Sequence, residues 1–527
     1  MPTTPVIISK LQELLQGYDP ELTQYIINGF THGFHLHADH IQQYPPPSKN
    51  SAIATRLPEA VDEKIAKELR LRHIAGPFTE QPFTPMFISP LSLRPKDNNT
   101  GWRLLHDLSY PYDDTSVNSS IPEQYKHVSY SSVQDAISII QSLGTNIFLG
   151  KSDIASAFTL VPIHPSDHHL LGFKWRNHYY YYTTLPQGAA SSCFIFERIA
   201  TALQWILVNK FKVNHIIHYL DDFLFLGTTA EQCMSSMHTF QDVCAQIGVP
   251  INYAKTEGPS NSLSFLGIRL DTSAYTASLP MDKVTRYKQL MLDLLDRKTC
   301  TLREMLNIIG SLQFTTSVVQ PGRTFLRRMI NTTIGVKKLY HHIHITRPVK
   351  DDMQLWCNFL DHYNGVTLFL PQVPTTSAEL NLHTDSCPQG FGGTFRTNYF
   401  YGTFPPHWQG HNICVLELFP ILLALQLYTA EMSNQNIVIY SDNQAVVEVL
   451  NKKTTKHPPM LSLLRKLILH CLHCNILITS KHIPGKLNVL PDALSRNKHT
   501  ISMLQEQTMD LQPTPIPTAL QPQSYRL

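Results

Sequence analysis

Charged side chains are scarce in this sequence. Asp, Glu, Lys and Arg together make up 16% of its 527 residues, whereas an ordinary soluble domain carries roughly 25%. The 43 Lys and Arg residues nearly balance the 40 Asp and Glu residues, so the formal charge is only +3. This balance excludes a histone-like or polybasic protein, and it also excludes an acidic disordered protein.

Long apolar runs and a disulfide framework are missing as well. No stretch reaches the roughly 18–20 apolar residues of a membrane span, and no basic segment followed by an apolar core begins the chain. The nine cysteines are scattered and show no paired spacing. We therefore expect an intracellular protein, cytoplasmic, nuclear or both, with no secretion signal and no membrane partner.

The sequence pattern predicts several domains, because the length alone favours three or four. Apolar runs alternate with helical windows in two separate stretches, which predicts two regions that contain both helices and strands. The predicted segments are an N-terminal extension and linker (1–57), an α+β region (58–275), a helical region (276–350), a connector (351–374), a second α/β region (375–498) and a disordered tail (499–527).

The helical region carries most of the positive charge of the chain. Residues 281–350 contain thirteen Lys and Arg against four Asp and Glu, which gives a local charge of +9. Leu and Ile residues recur there at three- and four-residue spacing, as in amphipathic helices. A solvated charged face is one explanation, and neutralisation of a nucleic-acid backbone is the other.

A first group of acidic residues borders apolar strands. Asp153 ends the apolar run in IFLGKSDIASAF, and Asp221 and Asp222 interrupt HIIHYLDDFLFLG at a predicted tight turn. Buried carboxylates are costly unless they are paired, and the run around Asp221 and Asp222 contains no Lys or Arg. Divalent cations such as Mg²⁺ prefer oxygen ligands of this kind. A polar hairpin turn with an unrelated Asp nearby is the alternative for the Asp pair alone.

Several motifs around these acids resemble reverse transcriptases, and they occur in the same order as in that family. The motifs are KDNNTGWRLLHDL, which resembles the fingers hairpin, then SDIASAF, LPQG, YLDD and FLGI. Together they span Lys96 to Ile268, and any one of them alone would be weak. The resemblance implies a right-hand α+β polymerase with fingers and palm at 58–275 and a helical thumb at 276–350.

The resemblance also implies roles for individual residues. Asp153 and Asp221 would bind two Mg²⁺ ions, and Asp222 would complete the acidic turn. The nucleotide-binding residues would be Lys96, Arg103, Phe158, Gln187 and Gly188. Lys96 and Arg103 would hold the triphosphate, and Phe158 would exclude a ribose 2′-hydroxyl unless it is an ordinary core aromatic. Lys255 would assist departure of pyrophosphate, or it is simply an exposed lysine at a strand end.

A second group of acids follows the helical region. Asp385, Glu417, Asp442 and Asp492 each lie at the edge of an apolar element and are separated by 32, 25 and 50 residues. This order resembles the ribonuclease H family, with TDSCPQGFG and LPDALSR as the most specific pieces. The resemblance implies an α/β domain at 375–498 whose four acids hold two Mg²⁺ ions. His482 would assist product release or proton transfer, unless it is an ordinary surface histidine.

The combined resemblance is closest to DIRS-type retrotransposons, because of the GFTHGF, SPLSLRPK and HIPGKLNVLPDALSR stretches. Long-terminal-repeat elements and pararetroviruses are the other candidate lineages. The resemblance implies an RNA-directed DNA polymerase with ribonuclease H activity, with Mn²⁺ as the alternative metal. Its partners would be an RNA template, a DNA primer, RNA–DNA hybrid and deoxynucleoside triphosphates. The other hypothesis is a domesticated, non-catalytic nucleic-acid-binding protein.

Two stretches have spacings like those of zinc ligands. THGFHLHADH contains four histidines (His32, His35, His37 and His40), and LHCLHC contains two His and two Cys. The first stretch has no second group of Cys or His elsewhere that pairs with it. The second closes an apolar helix, where packed Cys and His are common. We therefore favour ordinary packing over zinc for both, with zinc as the alternative.

Overall fold

The computed structural model describes residues 4–525 except 40, 42, 96–100, 363–374, 377, 434 and 475. The chain divides into two compact units, Met1–Leu266 and Gly267–Leu527. The division falls slightly before the predicted end of the α+β region at residue 275. Among the described residues, no helix combines the length and hydrophobicity that a membrane span requires.

The first unit is built from helices and strands, as predicted. Its helices are α1 (Ile8–Leu14), α2 (Pro20–His32), α3 (Ala52–Arg56), α4 (Pro58–Arg70), α5 (Val133–Leu143), α6 (Ser192–Asn209) and α7 (Ala230–Ile247). Its strands are β1 (Ile74–Phe78), β2 (Leu91–Pro95), β3 (Trp102–His106), β4 (Phe148–Asp153), β5 (Gly172–Trp175), β6 (His178–Tyr182), β7 (Ile216–Tyr219), β8 (Asp222–Gly227), β9 (Glu257–Ser260) and β10 (Ser262–Phe265).

An antiparallel sheet in the order β7-β8-β4-β9 forms the centre of this unit. Helix α7 packs against β4 and β8, where Phe240 contacts Phe223 and Phe225 at ring-centroid distances of 4.7 and 5.4 Å. Gly150 permits this close approach, because a Cβ atom there would lie 2.3 Å from the sulfur of Met237. The packing fixes β4 and β8, the two strands that carry the first group of acids.

The N-terminal segment belongs to the core of the first unit. Leu11, Ile26, Phe30 and Phe34 are almost completely buried and form part of one cluster with side chains of α6 and α7. The amide of Ile7 also donates a hydrogen bond to the carbonyl of Ile247 over 2.8 Å. Residues 1–57 were predicted as an extension and linker, and the structure differs because these hydrophobic side chains cover the apolar faces of the two helices.

The second unit begins with helices and continues as an α/β region. Its strands are β11 (Ile268–Asp271), β12 (Thr276–Ser278), β13 (Thr299–Thr301), β14 (His342–His344), β15 (Thr375–Thr376), β16 (His383–Ser386), β17 (Gly390–Phe395), β18 (Asn398–Thr403), β19 (Asn436–Ser441) and β20 (Leu477–His482). Its helices are α8 (Met281–Leu295), α9 (Leu302–Thr315), α10 (Arg327–Thr333), α11 (Arg347–His362), α12 (Pro406–Gln409), α13 (Ile413–Leu427), α14 (Thr429–Met432), α15 (Gln444–Lys452), α16 (Pro458–His473), α17 (Val489–Ser495) and α18 (Ile501–Glu506).

Strands β16-β17-β18 pair antiparallel, whereas β15-β19-β20 pair in parallel. The predicted connector differs from the structure in its first half, because α11 continues the helical region through His362 and packs on α8. Its second half, 363–374, lies outside the described residues. The predicted disordered tail also differs, since Leu504, Met509 and Tyr525 are buried there.

One buried carboxylate connects three helices of the second unit. Asp352 of α11 is completely buried and forms ion pairs with Arg328 of α10, at 3.3 Å, and with Arg465 of α16. The guanidinium group of Arg465 contacts both carboxylate oxygens, a bidentate geometry that holds α16 against α11. Burial raises the pKa of Asp352, although the two arginines lower it.

Replacing Asp352 should therefore destabilise the second unit. Asp352→Ala leaves Arg465 buried without its partner, and such a loss typically costs about 3–5 kcal/mol. Hydrogen exchange of the full chain should show faster exchange of the amides of α11 and α16. Asp351→Ala is the matched control, because its side chain is exposed and surface substitutions usually stay within about 0.5 kcal/mol. Equal exchange in the two variants would contradict this account.

Candidate active sites

The register of the central sheet brings the first group of acids together. Asp153 at the end of β4 lies opposite Asp222 at the start of β8, and Tyr219 pairs with Asp222 across the β7–β8 hairpin. Asp221 therefore occupies the two-residue turn, and its carbonyl accepts a hydrogen bond of 3.0 Å from the amide of Ile154. We call Asp153, Asp221 and Asp222 the acidic turn site.

Burial, together with the crowding of like charges, perturbs the pKa values of the acidic turn site. Burial, Asp153 and Asp222 raise the pKa of Asp221 to about 6, and burial and Asp153 raise the pKa of Asp222. Lys255 partly compensates, because its Nζ atom donates a 2.8 Å hydrogen bond to Asp153 Oδ2. Burial lowers the pKa of Lys255, but the hydrogen bond and the acids outweigh this and raise it overall. The lysine thus occupies a position where the acids attract a cation.

Glu197 of α6 holds the backbone of the turn by a hydrogen bond. Leu220 has φ near +53°, a left-handed conformation that is strained for a leucine. Its amide donates to Glu197 Oε2 over 3.3 Å, and Glu197 Oε1 lies 3.1 Å from His218 Nε2. The His218 ring in turn contacts the amide oxygen of Gln204. The Glu197 carboxylate thus connects α6 with both the turn and the end of β7.

Three of the predicted nucleotide-binding residues line one pocket of the same unit. It is lined by α4, β3, the residues that follow β4 and the LPQG turn, and its members include Arg103, Phe158, Gln187, Lys64 and Lys67. Phe158 lines the pocket and also packs on Phe196 at a ring-centroid distance of 5.6 Å, so it has a core contact and a pocket face. We call this cavity the side pocket.

Gly188 shapes the LPQG turn instead of lining the side pocket. A Cβ atom at Gly188 would lie 2.2 Å from the carbonyl oxygen of His106, so only glycine allows β3 to approach so closely. Asn118 fixes the turn from the other side, because its amide donates to the Gly188 carbonyl and accepts from the Ala190 amide.

Lys96 lies outside the described residues.

The second group of acids converges in the second unit. Carboxylate oxygens of Asp385, Glu417 and Asp442 all lie within 4.8 Å of one another. Asp492 is close enough to raise the pKa of Asp385, but its Oδ1 atom accepts a 2.7 Å hydrogen bond from Arg496. We call these four residues the four-acid site.

Glu417 owes its position to a proline in the middle of its helix. Pro420 has no N–H group, so the carbonyl of Leu416 loses its helical partner. The hydroxyl of Ser386 donates to that carbonyl over 2.9 Å, and Ser386 directly follows Asp385 on β16. The substitute hydrogen bond therefore holds α13 against β16 and sets Glu417 beside Asp385.

The charges of the four-acid site are poorly compensated. Burial, Asp385 and Asp442 raise the pKa of Glu417 to about 9, and burial raises that of Asp385 to about 6, although the Ser495 hydroxyl donates to it. His482 is exposed, and its Nε2 atom lies 3.1 Å from the backbone carbonyl of Asp442. Three crowded carboxylates with only oxygen donors form a set that suits Mg²⁺.

Comparison with known proteins supports the interpretation of the first unit. Residues 95–270 match the family described as Reverse transcriptase (RNA-dependent DNA polymerase). These residues form a reverse transcriptase domain. The chain is 24% identical over 383 residues to Polyprotein P3 of Commelina yellow mottle virus, covering 68% of this chain and 18% of that protein. It is 31% identical over 120 residues to Protein P of duck hepatitis B virus, covering 23% of this chain and 15% of that protein.

Solved structures share the fold over most of the chain. A foamy viral protease-reverse transcriptase in complex with double-stranded DNA matches with a TM-score of 0.52 and 16% identity, covering 90% of this chain and 81% of that one. The same protein in complex with RNA/DNA hybrid matches with a TM-score of 0.50, 16% identity and coverage of 97% and 65%. The predicted right-hand fold with fingers, palm and thumb is thereby confirmed. The chain spans less than a fifth of the length of the two curated relatives described above.

Some residues near these sites escaped the sequence analysis. Lys64 and Lys67 of α4 line the side pocket of the reverse transcriptase domain, yet in the sequence they are two charges of an amphipathic helix. Their three-residue spacing was the available signal, since it places both on one face. Glu197 gave no comparable signal, because the turn that it supports is distant in sequence.

The zinc-like stretch LHCLHC is packed as the sequence analysis favoured. His470 Nε2 lies 2.9 Å from the Leu425 carbonyl, and Cys471 is buried.

The raised pKa of Glu417 predicts an unusual dependence of stability on pH. With divalent cations removed, Glu417 stays protonated in the folded chain up to about pH 9 and ionises above about pH 4.5 when unfolded. The folded state then binds more protons between these values, so stability falls as the pH rises. Glu417→Gln should raise the free energy of unfolding at pH 8 by about 1–4 kcal/mol and flatten its pH dependence.

Chemical denaturation in the presence of a chelator would measure this effect. Glu431→Gln is the matched control, because Glu431 is exposed on α14. Added Mg²⁺ should stabilise the wild-type chain and the control far more than Glu417→Gln. A Glu417→Gln variant that is less stable than wild type at pH 8 without metal would refute the proposed charge crowding.

Proposed function

We propose that this chain is an RNA-directed DNA polymerase that also has ribonuclease H activity. It would copy retrotransposon RNA into DNA and degrade the RNA of the resulting RNA–DNA hybrid. The observation that carries the proposal is the acidic turn site, which lies in a reverse transcriptase domain together with a pocket that contains Arg103, Phe158 and Gln187.

Divalent cations would bind both groups of acids, and in the four-acid site the carboxylates of Asp385, Glu417 and Asp442 already lie close enough to share one. Asp153 and Asp221 would hold two Mg²⁺ ions at the polymerase site, and the four-acid site would hold two more, with Mn²⁺ as the alternative. The raised pKa of Asp221 and that of Glu417 support this assignment, because each shows a carboxylate whose charge lacks a partner. When bound, the ions would stabilise negative charge on the attacking and leaving oxygens.

The side pocket has the chemistry that a deoxynucleoside triphosphate requires. Arg103, Lys64 and Lys67 supply positive charge for the triphosphate, and Lys96 would add to it. Phe158 presents an apolar ring that would exclude a ribose 2′-hydroxyl, and Gln187 would position the nucleotide or the template backbone. The raised pKa of Lys255 favours a protonated Nζ, and this group would donate a proton to the departing pyrophosphate.

The thumb supplies the charge for binding a duplex of template and primer. Exposed basic side chains lie along its helices and loops, and they include Arg286, Lys298, Arg303, Lys337 and Lys338. Contacts of Lys and Arg with phosphates carry no sequence information and allow sliding, as a polymerase requires. The related foamy viral enzyme has been solved with double-stranded DNA and with RNA/DNA hybrid. We infer that RNA template, DNA primer and their hybrid are the partners of this chain.

Ribonuclease H activity would belong to the four-acid site. Asp385, Glu417 and Asp442 are near enough to share cations, and Asp492 would join them by leaving Arg496. His482 lies beside Asp442 and is exposed, so it could reach a departing product. A DIRS-type origin stays a prediction from the sequence motifs.

The polymerase assignment predicts that Asp221→Asn abolishes DNA synthesis. Primer extension on an RNA template with Mg²⁺ should fall by at least about 100-fold, since outer-shell changes at metal sites already cost 10–100-fold. Asp242→Asn is the matched control, because Asp242 is an exposed residue of α7, and this variant should keep wild-type activity. Primer extension by Asp221→Asn at the wild-type rate would refute the assignment. A wild-type chain that binds duplex but extends no primer would favour the domesticated, non-catalytic alternative.

The ribonuclease H assignment predicts separable activities. Asp442→Asn should lose cleavage of the RNA strand in a labelled hybrid and keep primer extension, because its side chain belongs to the second unit. Asp510→Asn, an exposed residue of the same unit, is the matched control. Loss of both activities in Asp442→Asn, or loss of neither, would argue against two independent sites.

A further inference from the structure

The histidine-rich stretch at the N-terminus finds partners that the sequence did not reveal. His35 of this stretch lies beside His164 and Asp167, which follow it by about 130 residues in the chain. One donor atom from each of the three side chains lies within 4.8 Å of the other two. Neither the acidic turn site nor the side pocket includes any of these residues.

Backbone pairing fixes this meeting point. The amide of Phe34 donates to the Pro162 carbonyl over 2.8 Å, and the amide of His164 donates to the Phe34 carbonyl over 2.9 Å. The amide of Leu36 donates to Asp167 Oδ2, also over 2.8 Å. The three side chains are therefore held by main-chain hydrogen bonds on both sides and do not depend on one flexible loop.

The distances suit a shared cation better than a simple hydrogen bond. His35 Nδ1 lies 3.3 Å from each Asp167 carboxylate oxygen, beyond the usual N–H···O distance of about 2.9–3.0 Å. Tetrahedral zinc with ligand bonds of about 2.0–2.1 Å separates its ligands by about 3.3 Å. The rings of His35 and His164 lie 4.3 Å apart, so two imidazolium charges there would repel each other.

Ser166 fixes the position of the His164 ring. The Ser166 hydroxyl donates to Asp167 Oδ1 over 2.8 Å and lies 2.7 Å from His164 Nδ1. The Ser166 amide also donates to His164 Nδ1, over 3.2 Å, so two atoms of Ser166 hold the orientation of this ring. Metal-binding histidines usually have such a partner on the second ring nitrogen, because it fixes the tautomer and the ring orientation.

We propose that His35, His164 and Asp167 bind one Zn²⁺ ion. Two imidazoles and one carboxylate are typical zinc ligands, whereas Mg²⁺ prefers oxygen alone. The His35 side chain is 56% exposed, so water can supply the fourth ligand. The ion would link the segment after α2 to the 3₁₀ helix Pro165–Leu170. Because it would bind only the folded chain, it would stabilise the first unit. The proposal is independent of the polymerase and ribonuclease H assignments.

Titration of the full chain with zinc tests the proposal. Protein stripped by a chelator is kept in excess Mg²⁺, so that the oxygen-rich sites are occupied, and Zn²⁺ binding is followed by calorimetry. We expect one zinc ion per chain, and we expect His35→Gln and His164→Gln each to weaken binding by more than about tenfold. His238→Gln, an exposed histidine on α7, is the matched control and should bind as wild type does.

Asp167→Asn separates metal binding from ordinary packing. An asparagine oxygen can still accept the Leu36 amide, so the zinc-free variant should keep nearly the wild-type melting temperature while losing zinc affinity. Zinc should raise the melting temperature of wild type and of His238→Gln, but not that of His35→Gln. Unchanged zinc affinity in His35→Gln and Asp167→Asn would overturn the proposal, and so would a wild-type chain that binds no zinc at this site.

Discussion

The pairing of β4 with β8 is the constraint on which the first unit depends. It places Asp153 opposite Asp222 and leaves Asp221 in the turn. A register shift of one residue would turn Asp153 to the opposite face of the sheet, because strand side chains alternate. The apolar contacts of Phe223 and Phe225 with α7 prevent that shift. Hydrophobic packing on one face of the sheet thus fixes the geometry of charges at its end.

Both groups of acids are held together against their own repulsion. In the first unit Glu197 supports the strained turn, and in the second Ser386 replaces the helical hydrogen bond that Pro420 removes. Neither Glu197 nor Ser386 neutralises the neighbouring carboxylates, since the pKa of Asp221 and that of Glu417 remain raised. Holding these acids close together therefore lowers the stability of the folded chain, and bound cations would restore that stability.

The local sequence pattern was sufficient to predict the place of a residue in the fold wherever that residue directly follows or precedes an apolar element. The positions of Asp153 and Asp442 at strand ends, and the helices of the basic region, follow from alternation and helical spacing within about ten residues. The pattern failed for contacts between distant segments. Glu197 contacts the turn at Leu220, and His35 contacts Asp167, because the chain folds back on itself. The spacing of neighbouring residues in the sequence therefore could not predict these two contacts. The packed tail was missed since its few hydrophobic residues are diluted by Gln, Pro and Thr.

The burial of α1 and α2 in the core has a consequence for biosynthesis. Ile7 bonds to Ile247, and Phe34 pairs with Ile163. A ribosome releases the N-terminal helices first, but most of the first unit must be translated before their partners exist. At roughly 5–20 residues per second, the apolar faces of these helices would wait for about ten seconds or longer without their native contacts. During that interval Ile26 and Phe30 are natural targets for a chaperone, and slower translation would lengthen their exposure.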